Sequence, residues 1–293
     1  MTNLSTALDI KPIGGVFGAE VRGIDLGSDL QPATIHAIHQ AVLRYKTVFF
    51  RGQDLDDYSQ EAFARLWGKK LVPHPAIPSL EGTEAIFDVD ASKGGRANRW
   101  HSDFSFVDAY PSITILRAAV LPERGGDTLW ADSGSAYKSL PQALQVLADQ
   151  IWAVHSNQHD YAGGWKHFNE AFKPKLFETE HPLVRVHPIT GEKLLVLGSF
   201  IRELTGFDKF DSYRLLEIFN EHLTRPENTL RWRWSHGDVA IWDNYATAHR
   251  AVDDYGDLPR IARRTTLEGE VPVSVDGRRS VTRVLPSRLS IAA

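Results

Sequence analysis

Residues 183–197 read LVRVHPITGEKLLVL, in which two aliphatic runs flank a segment of turn-forming residues. Aliphatic and β-branched runs of this length favour strands, and the Pro, Thr and Gly between them favour a chain reversal. The stretch therefore predicts a β-hairpin with HPITGEKL, residues 187–194, as its turn. Because a hairpin pairs its strands antiparallel, it argues against a sheet assembled from βαβ units.

Similar patterns occupy much of the remaining chain. Short strand candidates, most of them bounded by Gly, Pro, Asn or Asp, are SITILRAAV (112–120), IWAVHS (151–156), LRWRW (230–234), DVAIW (238–242) and RIARRTTLEG (260–269). Apolar residues recur at helical steps of three and four in segments 33–45, 57–68, 134–149 and 211–223. The pattern predicts a mainly β fold, an antiparallel sandwich or jelly roll, with helical cover.

The composition is that of a folded protein, since 42% of the 293 residues are hydrophobic and 24% are charged. No linker or repeat divides the chain, so we expect one domain over 1–293. The net charge of -4 does not favour nucleic acid or an anionic membrane, which leaves small molecules as the expected partners. The absence of Cys excludes thiol chemistry. No signal peptide or membrane-span pattern is found, so we expect a cytoplasmic location.

The segment RWHSDFSF, residues 99–106, places a histidine and an aspartate two positions apart. On an extended strand, His101 and Asp103 would point to one face, and Ser102 and Phe104 to the other. An imidazole and a carboxylate on one face can bind a metal. The same pattern also describes a surface strand with two solvated polar residues, so it does not identify a site alone.

A third ligand is available in WDNYATAHRA, residues 242–251, where His249 follows a strand candidate. Two histidines and one carboxylate leave open positions on a metal, the arrangement of non-haem Fe(II) oxygenases that bind a cosubstrate and oxygen together. His222 and His236 are competing candidates for the third ligand. The alternative for His249 is a loop histidine that is hydrogen-bonded to the backbone.

The segment RIARRTTLEG contains three arginines. If it is a strand, Arg260, Ala262 and Arg264 share one face, and Arg263 lies on the other. An inward-facing arginine needs an anion, and its planar guanidinium suits a carboxylate or a sulfate-like group. The pattern is thus consistent with an anionic ligand, or with a surface strand whose arginines are solvated.

Several motifs occur in an order that resembles the taurine and 2,4-dichlorophenoxyacetate dioxygenase (TauD/TfdA) family of Fe(II)/2-oxoglutarate enzymes. They are WHSDFSF, LPERGGDTLWAD, HPLVRVHPITGEKLL, RWRWSHGDVAIWDNYATAHRA and RIARRTTLEGE. The resemblance runs from GAEVRGIDL to about residue 272. It implies a double-stranded β-helix, the cupin-like form of jelly roll, with Fe(II) held by His101, Asp103 and His249.

The resemblance also implies roles for other positions. Thr128 and Arg260 would bind the distal carboxylate of 2-oxoglutarate, and Arg264 would lie near the substrate's anionic group or the cosubstrate's other carboxylate. The residues of WDN, 242–244, would support the loop of His249. The implied reaction uses O2 to hydroxylate a C–H bond, with succinate and CO2 as coproducts.

The segment HPAI, residues 74–77, bears on the substrate. Taurine-type relatives carry His-Pro-x-Tyr there and an asparagine at the position of Ala97. His74 matches, whereas Ile77 and Ala97 remove two polar contacts, so a taurine ammonium would be poorly solvated. Other stretches, FRGQ, ANRWH, TLWAD, WAVHSNQHDY, PENTLRW and VAIWDN, resemble the alkylsulfatase branch. We therefore expect an alkyl sulfate ester to be cleaved to an aldehyde and sulfate.

Some alternatives stay open at this point. Phe104, Phe106 and Phe168 line a substrate pocket or belong to an ordinary core, and the segment 158–180 is a lid or a surface loop. The same chemistry could act on a sulfonate, an aryloxyalkanoate or a natural-product intermediate. A zinc hydrolase and a non-catalytic jelly-roll binding protein are the alternatives outside this enzyme class. Relatives suggest a homo-oligomer, a dimer or a tetramer.

Overall fold

The fold is built mainly of strands in the computed structural model, which describes residues 8–93, 96–158 and 175–283. In chain order the strands are β1 (Asp9–Pro12), β2 (Ala19–Arg22), β3 (Thr47–Phe50), β4 (Phe87–Asp90), β5 (Ile113–Val120), β6 (Thr128–Asp132), β7 (Trp152–Ser156), β8 (Glu178–Pro182), β9 (Val184–Val186), β10 (Lys193–Leu195), β11 (Ile201–Leu204), β12 (Thr229–Trp232), β13 (Val239–Asp243), β14 (Thr247–Ala251), β15 (Ile261–Leu267) and β16 (Val281–Thr282). The helices are α1 (Pro32–Tyr45), α2 (Asp57–Arg65), α3 (Ser133–Ser139), α4 (Gln142–Ala148) and α5 (Lys209–Leu223), with 3-10 turns at Ala91–Lys93 and Pro226–Asn228.

The largest sheet has seven strands in the order β1-β2-β3-β13-β5-β15-β4. All neighbours pair antiparallel except β2 and β3, which pair in parallel. The other sheets are β12-β6-β14, β11-β7-β8-β16 and β10-β9. Strands from distant parts of the sequence alternate in the large sheet, as expected of a jelly roll rather than a βαβ array.

One face of the large sheet is covered by α1 and α2. Ile38 of α1 and Phe63 of α2 belong to the same buried apolar cluster as Ile115 of β5 and Ile241 of β13. Successive side chains of a strand point to opposite faces, so Trp242 points away from these helices. The alternation within β13 therefore separates a helix-covered face from an inner face.

The inner face packs on the three-stranded sheet through aromatic residues. Phe49 of β3 stacks on Trp232 of β12 with ring centroids 4.0 Å apart, and Trp242 meets Trp130 of β6 edge-on at 5.6 Å. These four rings belong to one buried cluster. The two sheets thus face each other across an apolar interior, which confirms the predicted double-stranded β-helix.

The predicted hairpin at 183–197 is confirmed. Strands β9 and β10 pair antiparallel, with Val186 opposite Lys193 and Val184 opposite Leu195. The turn between them is closed by hydrogen bonds from the backbone N–H of His187 to the Glu192 carbonyl at 2.8 Å and from Gly191 to the His187 carbonyl at 2.9 Å.

Two of the predicted helices differ from the structure. The segment 134–149 forms α3 and α4 with a break at Leu140 and Pro141, because proline disfavours the helical conformation of the residue before it. Leu140 accordingly has an extended backbone, with ψ of 139°. Helix α2 ends at Arg65 rather than residue 68, and Gly68 adopts a left-handed φ of 68°.

The extended strand that the alternation argument assumed for RWHSDFSF is not present in the structure. Within it, His101 forms an isolated bridge with His249, and residues 103–106 form a turn. Phe104 has a positive φ of 55°, which breaks the extended path that strand alternation requires. The two side chains therefore converge through a turn and not through strand alternation.

Two further expectations concern the rest of the chain. None of the helices in the described ranges is long and apolar enough to cross a membrane. Phe168 and most of the proposed lid, 158–180, lie outside the described residues.

Candidate metal centre

Three potential metal ligands, His101, Asp103 and His249, meet in the interior. The backbones of the two histidines are paired, with N to O distances of 3.0 and 2.8 Å, and their ring centroids are 4.2 Å apart. Asp103 Oδ1 lies 3.7 Å from Nε2 of each histidine. All three residues are buried, and their donor atoms lie within 4.8 Å of one another. A single small ion could therefore contact all three.

Gly198 allows the chain that follows β10 to lie directly against His101. Its φ is 139°, and a Cβ there would lie 2.8 Å from Cα of His101 and 2.9 Å from the carbonyl oxygen of Trp100. The N–H of Ser199 donates to that same carbonyl at 2.8 Å. Because a side chain at position 198 would collide with backbone atoms, glycine is required for this approach.

Both histidines direct Nε2 toward the Asp103 carboxylate. His101 Nδ1 lies 2.8 Å from the carbonyl oxygen of Arg99, so Nδ1 carries the proton and leaves the Nε2 lone pair for a metal. Burial lowers the pKa of His249 well below its ordinary value. His249 Nδ1 has no hydrogen-bond partner among the described residues.

Asp103 is held ionised by nearby positive charge. Burial, the largest single influence, would raise the pKa of its carboxyl, but Arg264, the two neighbouring histidines and the hydrogen bond from Thr114 together outweigh burial, and the pKa is lowered. Arg264 Nη1 donates to Oδ1, whereas the hydroxyl of Thr114 donates to Oδ2 at 2.8 Å. The carboxylate therefore presents one oxygen to the histidines and the other to β5.

Asn244 fixes the backbone of Asp103. Its side-chain oxygen accepts the N–H of Asp103 at 2.8 Å, and its amide group donates to the carbonyls of Asp103 at 3.0 Å and Pro111 at 2.9 Å. The prediction that this asparagine supports the loop of His249 was wrong in two respects. His249 lies on strand β14, and Asn244 holds the turn that carries the carboxylate.

The other members of the WDN motif do lie near His249. Trp242 packs on the His249 ring with centroids 4.7 Å apart. Asp243 Oδ1 accepts the N–H groups of Tyr245 and Ala246 at 2.9 and 3.1 Å, which shapes the turn that leads into β14. His187 Nε2 lies 2.9 Å from the other oxygen of Asp243, so the β9–β10 hairpin braces this turn.

The donor set fits Fe(II). Two imidazoles and one carboxylate, with no thiolate, are the ligands that non-haem iron uses while keeping positions open. The charge balance agrees, because neutral histidines and an ionised carboxylate are the states that bind metal. Neither competing histidine lies here. His236 is exposed, and His222 ends α5, where Nδ1 lies 2.9 Å from the hydroxyl of Ser139.

A buried cation lies next to Thr128, as the GGDT and RIARR motifs predict. Arg260 donates from Nε to the Gly126 carbonyl at 2.9 Å and from Nη2 to the Thr128 hydroxyl at 3.3 Å. A Cβ at Gly126 would lie 3.0 Å from Cδ of Arg260, so this glycine makes room for the arginine. In the described part of the chain, no carboxylate forms an ion pair with Arg260. The pair therefore offers a place for an anion.

Arg264 and His74 form a second polar corner, beside the metal ligands. The Arg264 guanidinium lies over the rings of Phe87 and Phe104, 4.4 and 5.0 Å from their centroids, and the His74 ring contacts the same two rings. Burial lowers the pKa of His74 to about 3, and the charge of Arg264 adds to the effect. His74 Nδ1 accepts the N–H groups of Ala76 and Ile77 at 3.0 and 2.9 Å, so Nε2 carries the proton.

The predicted parity of the arginines is confirmed. Arg260 and Arg264 are buried on the inner side, whereas Arg263 is 23% exposed and pairs with Asp88 at 3.0 Å and with Asp57 at 3.5 Å. The two inward arginines have different surroundings, since Arg260 lies beside Thr128 and Arg264 lies beside Asp103. The two buried cations therefore lie at separate places in the interior.

The remaining predicted site residues differ in burial and in their contacts. Ile77 is half-buried, and Ala97 is half-buried with a positive φ of 45°. Phe104 and Phe106 are both buried in one apolar cluster with Phe200, and Phe106 meets Phe200 edge-on at 4.9 Å. Their burial favours the core interpretation for Phe106, while Phe104 also contacts both polar groups of the corner.

Thr114 was absent from the predicted site. A signal for it exists in SITILRAAV, where this threonine interrupts aliphatic residues at an inward position of the strand. Its partner, Asp103, lies in a turn that strand alternation did not predict, so the contact could not be inferred from spacing.

Comparisons with known proteins agree with the site. The family model described as "Taurine catabolism dioxygenase TauD, TfdA family" matches residues 9–266. The chain is 52% identical over 284 residues to the alpha-ketoglutarate-dependent sulfate ester dioxygenase of Pseudomonas putida, covering 94% of each, and 48% identical over 297 residues to the alkylsulfatase of Acinetobacter baylyi, covering 98% of this chain and 93% of the relative. A crystal structure of a taurine dioxygenase from Burkholderia xenovorans matches with a TM-score of 0.81 and 36% identity, covering 94% of this chain and 96% of that one. The chain belongs to the TauD/TfdA family of Fe(II)- and 2-oxoglutarate-dependent dioxygenases.

Proposed function

We propose that this dioxygenase cleaves alkyl sulfate esters to an aldehyde and sulfate. The observation that carries the proposal is the buried corner of Arg264 and His74, which offers a cation and an N–H donor against two phenylalanine rings beside the metal ligands. An anionic head and an apolar chain fit such a corner together. The relatives named as a sulfate ester dioxygenase and an alkylsulfatase support this substrate class.

The metal role follows from the donor set. His101, Asp103 and His249 would hold Fe(II) through two neutral imidazole nitrogens and one carboxylate oxygen. With 2-oxoglutarate and O2, the bound iron supplies oxidation of a C–H bond coupled to loss of CO2 from the cosubstrate. The protein supplies position and exclusion of water, because all three ligands are buried.

Arg260 and Thr128 would bind the distal carboxylate of 2-oxoglutarate. The guanidinium is buried and its charge has no carboxylate partner among the described residues, which an ionised cosubstrate would provide. The Thr128 hydroxyl already accepts hydrogen bonds from Arg260 and from Trp234 Nε1 at 2.9 Å, so its own proton can point to the ligand. A carboxylate between the two would satisfy both groups.

Arg264 and His74 would bind the sulfate group. The guanidinium can donate to sulfate oxygens, and the Nε2 proton of His74 can donate as a neutral hydrogen bond. Phe87 and Phe104 hold both groups and exclude water, while Ile77 adds apolar surface where a taurine-type enzyme has a tyrosine. Ala97 likewise offers no amide for an ammonium group.

Cleavage of the ester follows from hydroxylation of one carbon. Hydroxylation of the carbon that bears the ester oxygen gives a hydroxyalkyl sulfate. Its C–O bond to sulfate then breaks, the sulfate leaves with the electron pair, and the hydroxyl group loses its proton as the aldehyde forms. Arg264 and His74 stabilise the leaving sulfate through charge and hydrogen bonding.

The test is a substrate panel with Fe(II), ascorbate and 2-oxoglutarate, in which aldehyde, sulfate and succinate are measured. We expect hexyl and octyl sulfate to give all three in equal amounts. 1-Hexanol is the matched control without the anionic head, and taurine is the control without the apolar chain. If hexyl and octyl sulfate released no aldehyde or sulfate above uncoupled background, the substrate assignment would be wrong, and product from a sulfonate or an aryloxyalkanoate would identify the replacement.

Other expectations stay proposals. We propose that residues 1–293 form one domain, which a single unfolding transition by two probes would test, and that the chain is a dimer or tetramer, which light scattering would test. We propose a cytoplasmic location, which fractionation of the source cells would test.

We also propose that Phe168 and the 158–180 segment contact the substrate. Phe168→Ala should then change the KM for octyl sulfate more than that for hexyl sulfate.

A further inference from the structure

The two oxygens of the Asp103 carboxylate have separate partners. Oδ1 faces the Nε2 atoms of both histidines at 3.7 Å, and Oδ2 accepts the Thr114 hydroxyl at 2.8 Å. Both Asp103 and Thr114 are fully buried. The hydrogen bond to Thr114 therefore has no competition from bulk water, and a bond to an ionised acceptor is stronger than a neutral one.

Thr114 is placed rigidly. It lies on β5, paired with Trp242 of β13 on one side and Thr266 of β15 on the other. A β-branched side chain in a central strand has a restricted χ1, so the direction of the hydroxyl is set by the backbone. Asn244 fixes the backbone of Asp103 by two hydrogen bonds. What remains free in Asp103 is rotation of its side chain, and Thr114 opposes that rotation.

We propose that Thr114 is a positioning residue that keeps Asp103 a ligand through one oxygen only. A carboxylate with a free second oxygen can turn and bind a metal through both. That would occupy one of the positions that 2-oxoglutarate and O2 require. The inference rests on the proposed metal role of Asp103, and it assigns to the hydroxyl of Thr114 the task of keeping that position open.

Arg264 cannot perform this task in its place. It contacts Oδ1, the oxygen on the metal side, and it would also serve the sulfate group of the substrate. Thr114 contacts the other carboxylate oxygen, Oδ2, and it lies on β5, a strand inside the large sheet. Its contact is therefore compatible with metal, cosubstrate and substrate all being bound.

The experiment compares Thr114→Val, which removes the hydroxyl at nearly constant shape, with Thr114→Ser, which keeps it. The control is Thr266→Val, because Thr266 is the adjacent buried threonine on β15 and its hydroxyl donates to the Val72 carbonyl at 2.7 Å rather than to Asp103. Thr114→Ala is a second donor-free variant should the valine variant fold poorly. Each protein is first checked by circular dichroism and thermal unfolding.

Two quantities are measured anaerobically: the Fe(II) affinity without 2-oxoglutarate, and the 2-oxoglutarate affinity of the iron-loaded protein from its visible charge-transfer band. For Thr114→Val and Thr114→Ala we expect Fe(II) affinity within about threefold of wild type, at least about tenfold weaker 2-oxoglutarate binding and a shifted band. Thr114→Ser and Thr266→Val should resemble wild type.

The proposal is overturned if Thr114→Val and Thr266→Val behave alike, or if Thr114→Val loses Fe(II) affinity instead of 2-oxoglutarate affinity. The latter would show that the hydroxyl stabilises the carboxylate without controlling how it binds. Neither readout uses a sulfate ester, so an error in the proposed substrate would leave both measurements unchanged.

Discussion

Arg264 donates to Oδ1 of Asp103, the oxygen that faces the two histidines, so the cation proposed to bind the substrate and the carboxylate proposed to bind the metal are in direct contact. The contact links the two parts of the site electrostatically. It lowers the pKa of Asp103, which is buried and would otherwise tend to protonate. A metal that binds Oδ1 and an anion that binds Arg264 would each weaken this contact, so we expect the two binding events to favour one another.

Asp103→Ala should abolish Fe(II) binding while leaving the fold intact. The variant removes one of three ligands, and we expect at least about a hundredfold loss of affinity in an anaerobic titration. It also removes the carboxylate beside a buried guanidinium, so the metal-free variant should lose about 3–5 kcal/mol of unfolding free energy. Unchanged Fe(II) affinity would show that the metal binds elsewhere, and an unfolded variant would point to a structural role.

Arg260→Ala should weaken 2-oxoglutarate binding by at least about tenfold, with Fe(II) affinity unchanged, because an ionised carboxylate loses its cation. Arg263→Ala is the matched control, three residues further along the chain on β15. Its guanidinium is on the opposite face and pairs with Asp88, so cosubstrate affinity should not change. Equal effects of the two substitutions would contradict the assignment of Arg260.

Ala97→Asn should stabilise the fold by about 0.5–1 kcal/mol, measured by urea unfolding. Ala97 has a φ of 45°, a left-handed conformation that asparagine tolerates better than alanine. Its carbonyl accepts the N–H of Ala251 at 2.9 Å, so the backbone there is held in place. Ala97→Val is the control and should destabilise, because a β-branched residue is least compatible with positive φ. The strain assignment fails if the valine variant is as stable as the asparagine variant.

Lowering the pH below about 6.5 should reduce stability through His181. Burial lowers the pKa of this histidine to about 3, whereas in the unfolded chain it is near 6.5. Between these values the unfolded state binds a proton that the folded state excludes, so stability is lost as the pH falls, by up to ~1.4 kcal/mol per pH unit.

The measurement is the unfolding free energy in urea at pH 7, 6 and 5. His181→Gln keeps a donor for the Ser105 carbonyl, which lies 2.8 Å from Nε2. The unfolding free energy of this variant should depend less steeply on pH, because its unfolding takes up one proton fewer. An identical slope for wild type and variant would mean that other groups control the loss of stability.

The sequence predicted those features that depend on local periodicity. The β9–β10 hairpin follows from two aliphatic runs around turn residues, and the opposite directions of Arg263 and Arg264 follow from strand alternation. Both rules use neighbouring residues only, and the surrounding sheet reinforces them.

Features that depend on distant contacts could not be predicted in this way. The turn at 103–106 includes Phe104 with positive φ, a conformation held by contacts to His74 and Phe87 that no local rule supplies. Asn244 bonds to a backbone 141 positions away, and Thr114 bonds to Oδ2 of a residue in that same turn. These contacts could not be predicted from local sequence patterns, because their partner atoms come together only after the sheets have formed.

His101 and Asp103 precede strands β5 to β13 in the chain, and His249 lies on β14 after them, so the site is complete only when the intervening strands have folded. Metal binding is therefore thermodynamically linked to folding of the whole chain rather than to folding of one segment. At a free metal concentration of 100 Kd, the linkage would add about 2.7 kcal/mol to the unfolding free energy. Chelation should consequently lower the melting temperature of the entire protein, so a bound metal would act as a reversible cross-link between the segment of His101 and Asp103 and strand β14.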